Sequence, residues 1–136
     1  MSSAGYSGTP LPRKLGIRDG DLVALVGDPG HARELLAPLP KGVRIVDGLR
    51  EAEIVLFFTT SRRELDGKIV KLGEAIFPNA SCWVAWPKKA SKVPTDMSEN
   101  VVREVALPLG LVDTKVCAID ATWSGLRLVW RKERRG

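Results

Sequence analysis

The chain is poor in the side chains that most enzymes use for chemistry. Among its 136 residues there are one histidine, His31, and two cysteines, Cys82 and Cys117. A single imidazole, with no serine, cysteine or orienting acid that the sequence can set beside it, gives no basis for a hydrolytic triad. The two thiols lie far apart inside apolar segments and form neither a disulfide framework nor a C-x-x-C motif. With one histidine and no carboxylate pair at ligand spacing, a zinc site has nothing to stand on. Asp19, Asp21, Asp113 and Asp120 fall singly at turns or strand ends, so two-carboxylate acid–base chemistry has no support either. Long apolar runs are missing too. No stretch reaches the roughly 20 residues of a membrane helix. The start, Met1-Ser2-Ser3-Ala4-Gly5-Tyr6, has neither the basic nor the apolar region of a secretory signal, and the expected location is the cytoplasm. No fixed-period repeat is visible.

What is present is the makeup of one ordinary soluble domain, 44% hydrophobic and 27% charged. The net charge is +5, but Arg131-Lys132-Glu133-Arg134-Arg135 accounts for three of those charges and leaves the body nearly balanced. A solvated, frayed tail is the expectation there, ahead of a nucleic-acid contact. Residues 1–12, rich in Gly, Ser and Pro, read as an extended arm, residues 13–130 as a single α/β domain, and residues 131–136 as the basic tail.

Leu22-Val23-Ala24-Leu25-Val26 and Glu53-Ile54-Val55-Leu56-Phe57-Phe58 are continuous apolar runs without alternation, the pattern of strands covered on both faces. A shorter strand, Gly42 to Asp47, lies between them. Gly27-Asp28-Pro29-Gly30 breaks the first strand, and Asp28 before Pro29 predicts an N-cap with proline at the first position of a helix over about 29–37. Ser61 and Glu64 make a capping box ahead of Leu65, Ile69, Leu72 and Ile76 at helical spacing. Ser81 to Trp86 is a strand stopped by Pro87, and its Trp83 and Trp86 should face opposite sides, one in the core and one near the rim. Residues 95–107 predict another helix, with Met97, Val101 and Val105 along one stripe. Two final strands, 111–119 and 126–130, should pair antiparallel.

Strands alternating with helices predict a three-layer, Rossmann-like, mostly parallel sheet with a C-terminal antiparallel hairpin. Ligands of such sheets sit beyond the carboxyl ends of the strands. Those ends are Gly27 to Gly30, Asp47, Thr59 to Ser61, Trp86 to Lys89 and, if the fifth strand is parallel, Asp120 to Trp123. Each has a plain reading beside the functional one. Asp28 either caps its own helix or shares the turn with a ligand, and a carboxylate parked there ranks NAD and FAD below S-adenosyl compounds. Lys88-Lys89 is a solvated loop or a contact for a phosphate or acidic partner. Trp123 plugs the domain or stacks on a ligand. His31 reads as a surface residue rather than a base.

Leu15-Gly16-Ile17, Gly20 and Val23-Ala24-Leu25-Val26-Gly27-Asp28-Pro29-Gly30 resemble the first motif of class I S-adenosylmethionine-dependent methyltransferases. The resemblance implies a cofactor pocket from Gly27, Asp28, Gly30, Asp47, Thr59 and Trp86, with Asp47 on the ribose hydroxyls. It would place the acceptor or a partner near Lys88, Lys89, Asp120 and Trp123. The loop is one glycine short of that pattern, and no strand and helix separate Asp47 from Glu53. Over nearly the whole chain, Gly5 to Leu11, Trp83 to Ser91, Val116 to Asp120 and Trp123 to Arg127 resemble a small family of bacterial proteins of unknown function, common in actinobacteria. The leading expectation is a non-enzymatic or degenerate methyltransferase-like module that binds a small adenosyl ligand or a protein. The alternatives are a minimal S-adenosylmethionine-dependent methyltransferase and a weak, non-specific nucleic-acid binder.

Overall fold

The computed structural model describes residues 9–135, so most of the expected arm, Tyr6 included, lies outside the described residues. Six strands form one sheet: β1 (Leu22–Val26), β2 (Arg44–Asp47), β3 (Ile54–Phe58), β4 (Ser81–Pro87), β5 (Leu111–Ala118) and β6 (Trp123–Trp130), in the order β2-β1-β3-β4-β6-β5. The first four are parallel, and β6 runs antiparallel to both β4 and β5. Strand β5 therefore points the same way as β1 to β4, and its carboxyl end joins theirs.

The continuous apolar strands are covered on both faces, as their lack of alternation requires. Helices α3 (Arg62–Ile76) and α4 (Glu99–Ala106) close one face, where Leu65, Leu72, Ile76 and Val102 meet Val55, Phe57, Val84 and Leu126. The other face carries the shorter α1 (Leu11–Lys14) and α2 (Ala32–Leu36). There Leu15, Ala32 and Leu36 pack on Val23, Leu25, Leu56 and Trp83. Trp83 Nε1 donates to the Leu15 carbonyl at 2.9 Å, which ties the exit of α1 to the middle of the sheet. Removing so large a buried ring costs about 3–5 kcal/mol in comparable cores. Both tryptophans of β4 are buried, Trp83 on the α1/α2 face and Trp86 on the α3/α4 face. The rim position expected for one of them is not observed, because β4 lies inside the sheet with helices over both sides.

Helix starts follow local side-chain chemistry. Ser61 caps α3 by accepting from the Glu64 amide at 3.2 Å. Glu64 does not return the bond directly. Its carboxylate takes the Thr59 hydroxyl, and Thr59 Oγ1 accepts from the Ser61 amide at 3.1 Å, so the box closes through a third residue. The helix expected over 29–37 shortens to α2. Asp28 Oδ1 accepts from the Gly30 and Ala32 amides at 2.8 and 3.2 Å, which draws residues 28–30 into a turn with Gly30 at φ +113°. In the same way Thr95 Oγ1 accepts from the Met97 amide and leaves Ser98 as the cap of α4. The buried stripe of α4 runs through Val102 and Val105 rather than Val101. Residues 48–53 link β2 directly to β3 without an element between them. The basic stretch is not frayed as far as residue 135. Lys132–Arg134 form a 3-10 turn, the Arg131 amide donates to Gly110, and Arg135 Nε donates to the Trp130 carbonyl.

Candidate ligand site at the carboxyl end of the sheet

Every strand-end segment singled out above arrives at one edge. Gly27, at φ +72°, ends β1 so close to β3 that an added Cβ would stand 2.4 Å from the Phe58 carbonyl oxygen. Any side chain would push the two strand tips apart, so the glycine is there for contact between backbones. The chain then turns through Asp28 and Gly30 to His31, and Gly30 has no heavy atom within 4 Å of where a Cβ would point.

Two long-range contacts close this edge. His31 Nε2 lies 3.1 Å from Asp120 Oδ2, which joins the turn after β1 to the turn between β5 and β6. Asp120 Oδ1 meanwhile accepts from the Thr122 and Trp123 amides at 2.8 and 2.7 Å. Burial pushes the Asp120 carboxyl up, but the Trp123 amide, His31 and the Thr122 amide pull harder, and its pKa falls below the ordinary range. The Lys88 amide donates to the Thr122 carbonyl at 2.8 Å, so the basic turn after β4 borders the same loop. Trp123 takes the plug position: it is buried and meets Phe58 edge-on at 5.1 Å between ring centres.

The remaining candidates divide by what they already touch. Asp47, at the tip of β2, has a side chain 71% exposed, and its Oδ1 accepts from Arg33 Nη1 at 3.0 Å. Arg33 Nη2 also donates to the Ile45 carbonyl. Thr59 is buried, its hydroxyl engaged by Glu64 and the Ser61 carbonyl. Trp86 belongs to the core under α3 and α4. Lys89 opens a 3-10 turn, Lys89–Ser91, on the exposed side of the edge. Arg33 and the His31–Asp120 pair are absent from the sequence reading. Arg33 has a local signal, since the helix after β1 reaches the tip of β2 in a parallel pair. The His31–Asp120 pair joins residues 89 apart and has none.

For an S-adenosyl compound the donor set fits in part. Asp47 offers carboxylate oxygens to a ribose diol at the strand tip, and Gly30 offers uncluttered backbone. Against this, Asp28 is engaged with its own amides and Arg33 stands on Asp47.

No family model and no curated protein matches the chain. Solved structures do, and their fold is the class I S-adenosylmethionine-dependent methyltransferase fold. An O-methyltransferase of neocarzinostatin biosynthesis, solved with S-adenosylmethionine and 2-hydroxy-5-methyl naphthoic acid, superposes with a TM-score of 0.61 at 12% identity. That match covers 94% of this chain and 51% of the other, so the chain spans about half the length of that enzyme. A protein from Sulfolobus solfataricus assigned to the type 11 methyltransferases gives 0.63 at 12% identity and 91% coverage of both chains. The fibrillarin pre-rRNA processing protein of Methanococcus jannaschii gives 0.51 at 10% identity, over 90% of this chain and 69% of its own. The chain thus has a methyltransferase-like Rossmann fold. Among the described residues, no helix is long and apolar enough to cross a membrane, and no group of three or more His, Cys, Asp or Glu side chains is placed to hold a metal ion.

Proposed function

We propose that the carboxyl end of the sheet binds an S-adenosyl compound and that the chain is a minimal S-adenosylmethionine-dependent methyltransferase. The observation that carries this reading is the exposed Asp47 carboxylate at the tip of β2, beside the Gly27 turn of β1 in a parallel pair. S-adenosylmethionine, when bound, supplies a methyl group on a sulfonium sulfur. Asp47 accepts the ribose hydroxyls, and the open backbone at Gly30 admits the ligand to the turn after β1. Lys88, Lys89 and the Asp120–Trp123 loop border the side from which an acceptor enters.

A second reading, a non-enzymatic module of the same fold that engages a partner protein, draws on the Arg33–Asp47 pair and on the interior packing of Trp123, which fill space a ligand needs. Calorimetric titration with S-adenosylmethionine and S-adenosylhomocysteine separates the two. The enzyme reading expects saturable binding that weakens about tenfold or more in Asp47→Ala, the effect of losing a charged acceptor. Arg33→Ala should tighten binding by releasing that carboxylate. No binding to the native protein or to Arg33→Ala overturns the enzyme reading and leaves the module. Affinity unchanged in Asp47→Ala removes Asp47 from the site.

A further inference from the structure

The opposite, amino end of the sheet carries a feature that this reading does not use. A cleft of about 1070 Å³ lies there, walled by Pro12, Ile17, Pro38, Leu39 and Pro40. It is as large as the sites that hold drug-sized ligands. Arg13 and Arg127 line it and also line an adjoining cleft of about 290 Å³, whose other borders include Lys14 and Lys115 and no carboxylate.

Of these four cations Arg13 and Arg127 line both clefts, Lys14 and Lys115 line the smaller one, and Arg18 adds a further charge to the larger. Three arginines elsewhere are neutralised: Arg33 by Asp47, Arg62 by Glu104, Arg103 by Asp113 and Glu99. Arg13, Lys14, Lys115 and Arg127 pair with no carboxylate among the described residues. Two of them are fixed in place by neutral acceptors. Arg127 Nη1 donates to Thr114 Oγ1 at 3.0 Å, and Lys115 Nζ donates to the Lys14 carbonyl at 3.1 Å. Arg127 is half-buried in mid-strand, and burial and the nearby Arg135 both lower its pKa. A guanidinium held this way, in partial burial and beside other cations, is arranged for an anion that accepts bidentate bonds. The one carboxylate on the larger cleft is Asp19, which leaves an excess of positive charge for a dianion. The proline and leucine wall then offers an apolar surface next to the charge, with Leu39 exposed.

We propose that this amino-end cleft binds a phosphorylated small molecule, its phosphate on Arg127, Arg13 and Lys115 and its apolar part along Pro38, Leu39 and Pro40. The test is an NMR titration of the full chain, labelled with 15N, using inorganic phosphate, phenyl phosphate and a short single-stranded oligonucleotide as probes. Saturable shifts at Gly16, Thr114, Lys115 and Arg127 are expected, with Gly27 and Asp47 unmoved. Phenyl phosphate should bind about tenfold more tightly than inorganic phosphate, the gain from covering one ring. Arg127→Gln should weaken phenyl phosphate about tenfold or more. Arg13 is exposed, so Arg13→Gln should weaken it while leaving the spectrum otherwise native, which keeps the test open if Arg127→Gln fails to fold. Shifts spread evenly over surface arginines, or affinity unchanged in both variants, overturn the proposal. Oligonucleotide binding at these amides tighter than phenyl phosphate also overturns it, in favour of nucleic acid.

Discussion

Gly27→Ala tests whether the edge is built on contact between strand tips. The native φ of +72° costs an alanine about 1–2 kcal/mol relative to glycine. The new Cβ would also stand 2.4 Å from the Phe58 carbonyl oxygen, where ordinary contact begins at 3.4 Å, so β1 or β3 must move. Forced repacking of that kind adds about 1–3 kcal/mol. Together the loss is about 3 kcal/mol, or roughly 10 °C in Tm for a domain of this size. The matched control is Gly30→Ala, whose φ is +113° but whose Cβ meets no heavy atom within 4 Å, so only the backbone term of about 1–2 kcal/mol applies. Urea denaturation followed by circular dichroism measures both. Equal losses in the two variants would refute the steric argument and leave only the conformational one.

Three further outcomes follow from the same structure. Asp120 has a lowered carboxyl pKa in the fold, so it adds stability above its ordinary value of 3.8 and loses that contribution as pH falls through the lowered one. Acid unfolding of Asp120→Asn should be less steep over that window, and an unchanged acid limb would show that its bonds do not distinguish the folded state. A double-mutant cycle of His31→Ala and Asp120→Ala at neutral pH should give a coupling of about 0.5–2 kcal/mol, and additivity would mean the contact carries no energy. Burial pushes the Cys82 thiol up to about 12, whereas Cys117 is half-buried with Lys14 and Lys115 opposing the rise. At mildly alkaline pH a thiol reagent should label Cys117 first and Cys82 only as the domain opens; equal rates would contradict the burial of β4.

The parts of the fold legible in the sequence are those set by local chemistry. β1 and β3 announce themselves by unbroken apolar runs, and α3 by Ser61 and the spacing of Leu65, Ile69 and Leu72. The strand-end rule then gathers Gly27, Asp47, Lys88 and Asp120 at one edge, where the structure also has them. The expected length of α2 fails because Asp28 competes for backbone amides within its own turn, a choice that Pro29 at a helical first position does not reveal. The rim place expected for one of Trp83 and Trp86 fails because burial depends on which strand lies next to β4. Here that neighbour is β6, supplied from far along the chain. The His31–Asp120 contact and the meeting of Arg13 with Arg127 are likewise products of sheet order, and no spacing encodes them.

Strand β6 follows β5 in the chain but lies inside it in the sheet. During synthesis β5 emerges before β6, its one partner among the described residues. β4 likewise waits for one side of its ladder until residues 123–130 appear. The parallel half of the sheet can begin to assemble early, but its completion depends on a strand made late, which favours a single cooperative transition over a stepwise build from the amino end. A chain stopped before Trp123 would expose the antiparallel edges of both β4 and β5, two open ladders of the kind that recruit other chains.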